Sequence, residues 1–336
     1  MKRTGYLFEK AFTPEALLAA YHAAARHKRG KRACFQFEKR LASNMSALHH
    51  EIHAGAYQPQ PYYEFCVFEP KHRRIFAPAF RDLVVQHAIY AVIRPIFEAG
   101  FIDQSFACRV GFGTHKAADY AERSLQQISR DSYTIKLDIR KFFYRIDREI
   151  LRQQIQKKIK DQRFVDLMMQ FAEYGEPVGI PIGNLLSQIY ALIYLNPLDH
   201  FVKRALRVRH YCRYVDDFVL FGLTHQECID AKHAIEEFIQ QALRLELSKY
   251  TIAPVRRGVN FVGYRTWASR RFIRKYSLYK FRRSVRQKKL ASVVSILGHA
   301  KKTHSQKHMI NYIKEQDNGL YRELPEVYQR NRYARA

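Results

Sequence analysis

The chain has 336 residues, which is long enough for two or three domains with buried cores. No stretch approaches the ~20 uncharged apolar residues that a membrane span needs, and the N-terminus carries no apolar signal core, so we expect neither a membrane protein nor a secreted one. The formal net charge of +27, from 58 Lys and Arg against 31 Asp and Glu, makes nucleic acid the leading expected partner.

Apolar spacing and breaker residues predict a mainly helical N-terminal region. A helix is expected over 13–27, because a Thr-Pro pair at its start can cap it and suits its first turn. Further helices are expected at about 35–54 and 80–99, and two short strands in 62–76 around a basic turn.

The middle and C-terminal parts alternate irregularly between strands and helices. The predicted elements are a buried strand at 133–139, helices within 147–174, a helix at 187–206, a hairpin at 210–222, a helix at about 225–244 and short strands near 250–254 and 259–265. The hairpin is antiparallel and places Asp216 and Asp217 at its tip. This pattern favours an α+β fold over a doubly wound α/β sheet.

The tail differs in composition. From Arg265 to Lys289 the chain has eleven Lys and Arg residues and no acid, and we place a domain boundary near 266–275. A solvated face is the ordinary explanation for such a run. Aromatic residues are interleaved with the cations here, which suits a nucleic-acid backbone better than bulk solvent.

The five cysteines are scattered along the chain and include no C-x-x-C pair. This pattern argues against a zinc site and against a disulfide framework. We therefore expect a reduced, intracellular protein whose thiols are structural.

Three aspartates lie at predicted positions where a buried negative charge would need a compensating cation. Asp138 lies in the strand at 133–139, and Asp216 with Asp217 is flanked by apolar runs. Adjacent carboxylates between hydrophobic walls are costly unless a cation compensates for them. Mg²⁺ is typically held by one or two carboxylates together with substrate phosphates, and two such ions ~3.5–4 Å apart support phosphoryl transfer. An ordinary polar turn is the other interpretation of Asp216-Asp217 taken alone.

Six segments in a fixed order favour the metal site. They are EPKHRRI at 69–75, the strand that carries Asp138, GIPIGNLLSQ at 179–188, YVDDF at 214–218, LELSKY at 245–250 and NFVGYR at 260–265. In combination they resemble the fingers and palm motifs of reverse transcriptases. The segments RDLVVQHAIYAVIRPIFEAGF at 81–101 and SFACRVGFGTHKA at 105–117 are similar to the reverse transcriptases of diversity-generating retroelements.

The resemblance implies an α+β right-hand polymerase fold, with fingers, a palm that contains an antiparallel sheet, and a short helical thumb. The implied divisions are an N-terminal helical extension at 1–34, fingers at 35–130, palm at 131–150, fingers and palm helices at 151–178, palm at 179–266 and a basic thumb at 267–336. The implied protein is an RNA-directed DNA polymerase, cytoplasmic and encoded by a bacterium or a phage.

The resemblance also implies a two-metal catalytic centre. Asp138, Asp216 and Asp217 would hold two Mg²⁺ ions, for which Mn²⁺ is a possible substitute, and the backbone carbonyl of Ile139 would be a further ligand. Lys249 would donate a proton to the pyrophosphate leaving group, although an exposed lysine near a strand start is the alternative.

The incoming dNTP would meet a basic turn and an aromatic ring. Lys71, Arg73 and Arg74 would hold the triphosphate by charge-assisted hydrogen bonds, with the register between the two arginines open. Phe143 would exclude a ribose 2′-OH, and its alternative role is a core residue, since either Phe142 or Phe143 must pack inward.

Four residues of the GIPIGNLLSQ segment would face the base pair or open the next helix. Gly183 would allow the backbone to approach the templating pair. Ser187 and Gln188 would lie at the start of the next helix, as an N-cap or as substrate contacts. Ile182 stands where many retroviral enzymes place Gln, and the resembled family misincorporates opposite template adenines. Our hypothesis is that loss of this polar contact weakens discrimination, because apolar contacts are worth only ~1–3 kcal/mol.

The remaining implied roles concern the primer and the partners. Phe261, Gly263 and Tyr264 would form the primer grip, and Tyr214 would pack near the primer end. The partners would be template RNA, the primer and cDNA, dNTPs, and a small basic accessory protein that forms a pentameric barrel; no membrane partner is expected.

The family resemblance implies copying of a template-repeat RNA into adenine-mutagenised cDNA, which then replaces a variable repeat of a target gene. Two alternatives stay open. One is a retron-like or abortive-infection bacterial reverse transcriptase, and the other is a non-catalytic nucleic-acid-binding scaffold of a ribonucleoprotein.

Overall fold

The structure of the protein is a computed structural model in which residues 3–68 and 72–329 are described. The helices are α1 (Leu7–Ala11), α2 (Pro14–Ala25), α3 (Arg32–Glu38), α4 (Leu41–His53), α5 (Phe80–Glu98), α6 (Thr114–Gln126), α7 (Phe142–Arg145), α8 (Arg148–Gln156), α9 (Gln162–Gln170), α10 (Leu185–His200), α11 (His225–Leu243), α12 (Lys275–Arg286), α13 (Leu290–His299), α14 (Ser305–Gln316), α15 (Asn318–Arg322) and α16 (Glu326–Gln329). The strands are β1 (Tyr63–Val67), β2 (Arg73–Ala77), β3 (Tyr133–Ile139), β4 (His210–Tyr214), β5 (Asp217–Leu223), β6 (Leu247–Pro254), β7 (Val259–Phe261), β8 (Tyr264–Thr266) and β9 (Arg271–Ile273). Within the described ranges, no helix combines the length and the apolar character that crossing a membrane requires.

The chain divides into two compact units. The first consists of Met1–Ile102, Ile139–Phe201 and Ala234–Ser248, and the second consists of Asp103–Asp138, Val202–His233 and Lys249–Ala336. Each unit is therefore assembled from three separate stretches of chain.

In the first unit, helix α5 packs against both α2 and α10. The helix expected over 13–27 is confirmed as α2, and the hydroxyl of Thr13 caps it by accepting a hydrogen bond from the Ala16 N–H at 3.1 Å. The single helix expected over 35–54 is instead two helices, α3 and α4. The reason is local, because Arg40 has φ −126° and ψ 43°, outside the helical region, and interrupts the run.

A two-stranded hairpin completes the first unit. Strands β1 and β2 pair antiparallel, with Val67 opposite Arg73, as the alternation in 62–76 predicts. The amide of Phe76 in β2 donates to the carbonyl of Ile182 at 2.7 Å, which fixes the hairpin to the segment before α10.

The second unit contains most of a four-stranded sheet with the order β4-β5-β3-β6. Strand β5 pairs antiparallel with both β4 and β3. The buried strand expected at 133–139 is confirmed with those bounds. Phe106, Leu125, Val219 and Phe221 share one buried apolar cluster, so strand β5 of this sheet is packed against α6 and the residues before it.

The C-terminal part of the second unit is a small sheet followed by helices. Strands β7, β8 and β9 form an antiparallel sheet, and the predicted boundary near 266–275 falls on β9, which the sequence pattern did not reveal. Tyr264, Phe281 and Leu297 belong to one buried cluster that joins this sheet to the helices α12 to α16. The segment that contains the basic run therefore also contributes apolar side chains to a buried core.

A buried ion-pair network ties β9 to α6. Arg271 is 1% exposed and donates to Asp119 at 2.8 Å and to Glu122 at 2.6 Å. Lys302 also contacts Asp119, at 2.9 Å, so four charged groups balance one another. Hydrogen bonds between such groups are stronger than those between neutral groups.

Replacement of Arg271 by Met should destabilise the second unit. The change leaves two half-buried carboxylates without their main partner, which costs about 1–3 kcal/mol of unfolding free energy. Denaturant unfolding measures this loss. Arg283→Met, at an exposed position of α12, is the matched control and should change the unfolding free energy by less than about 0.5 kcal/mol. Equal effects of the two variants would contradict a stabilising role for the Arg271 network.

Candidate active site

Asp138, Asp216 and Asp217 lie at one end of the β4-β5-β3 ladder, but within the described residues their side chains do not form a three-carboxylate metal group. Strands β4 and β5 are joined by a turn of Val215 and Asp216, and Asp217 is the first residue of β5. In the pairing of β3 with β5, Asp138 lies directly opposite Asp217. Directly opposite residues of antiparallel strands have Cβ atoms ~4.5–5.5 Å apart. The fold therefore places two carboxylates side by side, with the third in the adjoining turn.

Burial and the neighbouring Lys136 both influence the pKa of Asp217. Its Oδ2 atom accepts from the Nζ atom of Lys136 at 2.9 Å, whereas its Oδ1 atom is buried and has no hydrogen-bond partner. Burial raises the pKa of Asp217 above its ordinary value; Lys136 counteracts this shift, and the neighbouring charge of Asp138 adds to it. A buried, unpartnered carboxylate oxygen costs free energy unless something binds to it.

The donor chemistry of this pair fits a hard divalent cation. Mg²⁺ prefers oxygen ligands and is commonly held by one or two carboxylates with substrate phosphates, so Asp138 and Asp217 are a suitable protein contribution. Within residues 3–68 and 72–329, no three His, Cys, Asp or Glu side chains are grouped closely enough to form a metal site by themselves. A cation at Asp217 would thus depend on ligands from the substrate as well.

The turn between β4 and β5 has an uncommon backbone conformation. Val215 has φ +58°, a conformation that β-branched residues rarely adopt, since the side chain crowds the backbone there. The Nη1 atom of Arg213 donates to the Val215 carbonyl at 2.8 Å, and the Arg213 side chain is 1% exposed. A buried guanidinium therefore holds the turn that orients the aspartates.

Arg213 is itself fixed by the segment before α6. Its amide donates to the Gln104 carbonyl at 2.9 Å, and its carbonyl accepts from the Phe106 amide at 3.0 Å. Ser105 thus forms an isolated parallel bridge with Arg213 of β4. This contact gives the SFACRVGFGTHKA segment a structural role in supporting the hairpin that carries Asp216 and Asp217.

The predicted primer-grip residues lie in the turn between β7 and β8. Phe261 pairs with Tyr264 across the turn, and both side chains are buried. The Tyr264 ring stacks on the His299 ring with centroids 4.3 Å apart, and its hydroxyl donates to the His299 carbonyl at 2.7 Å. Gly263 has φ +88°, and a Cβ atom there would lie 2.7 Å from His299 Nε2. The turn is therefore anchored to α13.

The segment before α10 in the first unit is equally constrained. Gly183 has φ +107°, and a Cβ atom there would lie 2.7 Å from Ile75 Cγ2. Asn184 is the N-cap of α10, because its side chain accepts from the Leu186 amide at 2.9 Å. The expected N-cap at Ser187 is therefore wrong: this residue lies inside the helix and is buried, whereas Gln188 is exposed.

The two arginines of the basic turn differ in their surroundings. Arg74 donates to Glu64 and to Glu176 and lies over the Phe76 ring, so its guanidinium already has protein partners. Arg73 is exposed and, by the alternation of a strand, shares the face of β2 that carries Ile75. Lys71 lies outside the described residues.

Three other residues carry predicted roles. Ile139 is buried at the end of β3, and Lys249 is exposed on β6. Phe142 is 2% exposed and fills the core, which leaves Phe143 half-buried; this settles which of the two rings packs inward. The predicted site residues are divided between the two units. The second unit contains Asp138, Asp216, Asp217, Lys249 and the predicted primer-grip residues, and the first contains Ile139, Arg73, Arg74, Phe143, Ile182, Gly183 and Gln188.

Comparisons with known proteins identify the family of the chain. The family model described as reverse transcriptase (RNA-dependent DNA polymerase) matches residues 69–266, more than half of the chain. The chain therefore belongs to the reverse transcriptase family, and the expected enzyme class, an RNA-directed DNA polymerase, is confirmed.

The relatives show how far the match extends. Protein YkfC of Escherichia coli is 27% identical over 293 residues, covering 72% of this chain and 74% of that protein. The group II intron-encoded protein LtrA of Lactococcus lactis is 30% identical over 160 residues, covering 44% of this chain but 26% of LtrA. Among solved structures, apo telomerase from Candida tropicalis matches with a TM-score of 0.51 and 13% identity, over 77% of this chain and 60% of that one. This likeness supports the right-hand polymerase fold alone.

Three residues of the site were not found from the sequence. Lys136 contacts Asp217, Arg213 contacts Val215 in the turn that carries Asp216, and His299 contacts Tyr264. A lysine two positions before Asp138 was the one available signal, because alternate residues of a strand share a face.

Replacement of Arg213 by Met should slow DNA synthesis without abolishing folding. The Val215 carbonyl loses its buried donor and the aspartates lose their orientation, so kcat should fall by about 10–100-fold while the KM for dNTP changes less. Steady-state primer extension on an RNA template measures both constants. Arg213→Lys should recover part of the rate, and Arg209→Met, at an exposed position just before β4, is the control. A change confined to KM would contradict this role.

Proposed function

We propose that this chain synthesises DNA on an RNA template by nucleotidyl transfer at Asp138, Asp216 and Asp217. The observation that carries the proposal is the cross-strand pair of Asp138 and Asp217 with one buried carboxylate oxygen left without a partner. In the reaction, the primer 3′-hydroxyl attacks the α-phosphorus of a dNTP and pyrophosphate leaves.

The carboxylates would hold the divalent metal ions of the reaction. Asp138, Asp216 and Asp217 are the proposed side-chain ligands, and the carbonyl of Ile139 is a further candidate. Two Mg²⁺ ions, or Mn²⁺ in their place, lower the charge on the reacting oxygens and on the leaving pyrophosphate when they are bound. The protein supplies a fixed pair of oxygen donors and a turn whose backbone Arg213 restrains.

The dNTP contacts are proposed from the first unit. Arg73, exposed beside the Ile75 face of β2, is the better candidate for a triphosphate contact. Arg74 would keep the hairpin in shape through Glu64 and Glu176. Phe143, left at the surface by the inward packing of Phe142, would exclude a ribose 2′-hydroxyl. Lys71 and Gln188 complete the proposed contacts.

The primer contacts are proposed from the second unit. Phe261, Gly263 and Tyr264 form one rigid turn, because Tyr264 is stacked on His299 and Gly263 fits against it. A rigid backbone turn suits the placement of a primer 3′ end within a fraction of an ångström. Lys249, exposed on β6, is the proposed proton donor to pyrophosphate.

We further propose that the enzyme belongs to a diversity-generating retroelement and that a small basic pentameric protein assists it. The support is the motif context around Gly183 and the aliphatic side chain of Ile182, which offers no hydrogen bond to a base pair. The Ile182 carbonyl is bonded to the Phe76 amide, so the backbone is fixed while the side chain is apolar. The similarity to LtrA keeps an intron-type or retron-like enzyme as the alternative.

Substitution of either paired aspartate should remove polymerase activity. Asp138→Asn and Asp217→Asn each keep the size of the side chain but halve the charge of the pair, so we expect a rate loss of at least about 10³-fold. Extension of a labelled DNA primer on an RNA template with dNTPs and Mg²⁺ measures this loss. Asp230→Asn, on an exposed turn of α11, should leave the rate unchanged. Wild-type rates in either site variant would overturn the catalytic assignment.

Ile182→Gln should reduce misincorporation opposite template adenines. A glutamine restores a polar contact near the base pair, and we expect a fall of about fivefold or more in adenine-directed errors. Sequencing of cDNA made by both enzymes on one RNA template measures this. An Ile182→Val variant, apolar like the wild type, should keep the adenine errors. If wild type copies adenines faithfully, the retroelement subtype is wrong, whereas the polymerase assignment stands.

A further inference from the structure

We infer that Lys136 is a resident counter-ion of the carboxylate pair. It neutralises Asp217 while no divalent cation is bound, and it must release the Oδ2 atom of Asp217 when a cation binds there. Lys136 would thereby set both the stability of the metal-free site and the affinity of that site for metal.

The strand register places Lys136 on the carboxylate face. On β3, Lys136 precedes Asp138 by two positions, so both side chains point to the same side of the sheet. The partner strand shows the same alternation, since Lys136 lies opposite Val219 and Asp138 lies opposite Asp217. Lys136 therefore reaches Asp217 diagonally across the two strands, and the Nζ–Oδ2 distance is 2.9 Å.

The local charge balance explains why a cation is needed at this position. Two carboxylates directly opposite each other on neighbouring strands destabilise a sheet. The side chains of Lys136 and Asp217 are 27% and 26% exposed, so bulk water screens them only in part. Burial raises the pKa of Asp217, and the positive charges of Lys136 and Arg274 both lower it. Lys136 is the compensating charge in direct contact with Asp217, at 2.9 Å.

The same geometry makes the lysine displaceable. Lys136 occupies one oxygen of Asp217, and the Oδ1 atom is buried without a partner. A lysine is a single point charge on a flexible four-carbon stem, so it can move aside at little cost, whereas a planar arginine held by two hydrogen bonds moves less readily. An ammonium about 3 Å from a carboxylate also repels any second cation at that carboxylate.

The first test measures the metal-free protein. Thermal unfolding in EDTA is compared for wild type, Lys136→Met, Asp217→Asn and the double variant. We expect Lys136→Met to lower Tm by about 2–4 °C or more, because Asp217 then faces Asp138 without its cation. The double variant should recover most of this loss, because it removes the repelled charge as well.

The controls separate this coupling from a general effect of losing a lysine. Lys136→Arg should keep Tm near the wild-type value, and Lys307→Met, at an exposed position of α14, should leave Tm unchanged. If Lys136→Met does not fold, the double variant still decides, since it should fold. A Tm of Lys136→Met equal to wild type, or a double variant as unstable as Lys136→Met, would overturn the inference.

The second test measures metal affinity directly, with Mn²⁺ alone as the probe in a calorimetric titration. Lys136→Met should bind Mn²⁺ roughly fivefold more tightly than wild type, because the competing positive charge is gone. Asp217→Asn should bind it more weakly. Equal or weaker binding by Lys136→Met would overturn the displacement.

The metal part of this inference rests on the proposed function, and the stability cycle does not. Failure of wild type to bind Mn²⁺, with no difference from Asp217→Asn, would refute both the displacement and the proposed metal site. A recovered Tm in the double variant would then still establish the Lys136–Asp217 coupling as a purely structural ion pair.

Discussion

The juxtaposition of two carboxylates across β3 and β5 is the constraint on which the rest of the site depends. Asp217 lies opposite Asp138 and has a buried carboxylate oxygen, and this arrangement costs free energy that the fold must offset. Lys136 supplies the charge that does so in the absence of metal. A protein that only needed a stable sheet would gain by replacing either acid, so the retention of both points to the chemistry that they allow.

The supporting structure is stiff where the chemistry needs precision. Arg213 restrains the strained Val215 turn from inside the protein, and residues 104–106 restrain Arg213 in turn. The turn between β7 and β8, the proposed primer grip, is fixed in the same manner, by the stack of Tyr264 on His299. Backbone strain of this kind persists only where surrounding contacts over-determine it, and it concentrates at functional sites. The Val215 turn thus depends on Arg213, which residues 104–106 fix, and the turn at Gly263 depends on His299.

The sequence predicts the local elements well and the long-range partners poorly. The strand at 133–139 and the aspartate-bearing hairpin follow from β-branched runs and from alternation, which act over a few residues. The split of 35–54 at Arg40 was missed because it depends on one backbone angle. The N-cap at Asn184 and the strand β9, which pairs with β8 a few residues before it, are local features that the apolar pattern does not mark. Lys136 was missed because only the register of β3 against β5, two segments far apart in the sequence, brings it to Asp217.

The most direct test of the central claim is a crystal structure of the protein with an RNA–DNA primer duplex, a non-hydrolysable dNTP analogue and Mn²⁺, whose anomalous scattering locates the ions. We predict an anomalous peak bound by Asp138 and Asp217, with the Lys136 Nζ atom moved away from Asp217 Oδ2. Manganese located elsewhere, with the Lys136–Asp217 pair intact beside bound substrate, would contradict the account.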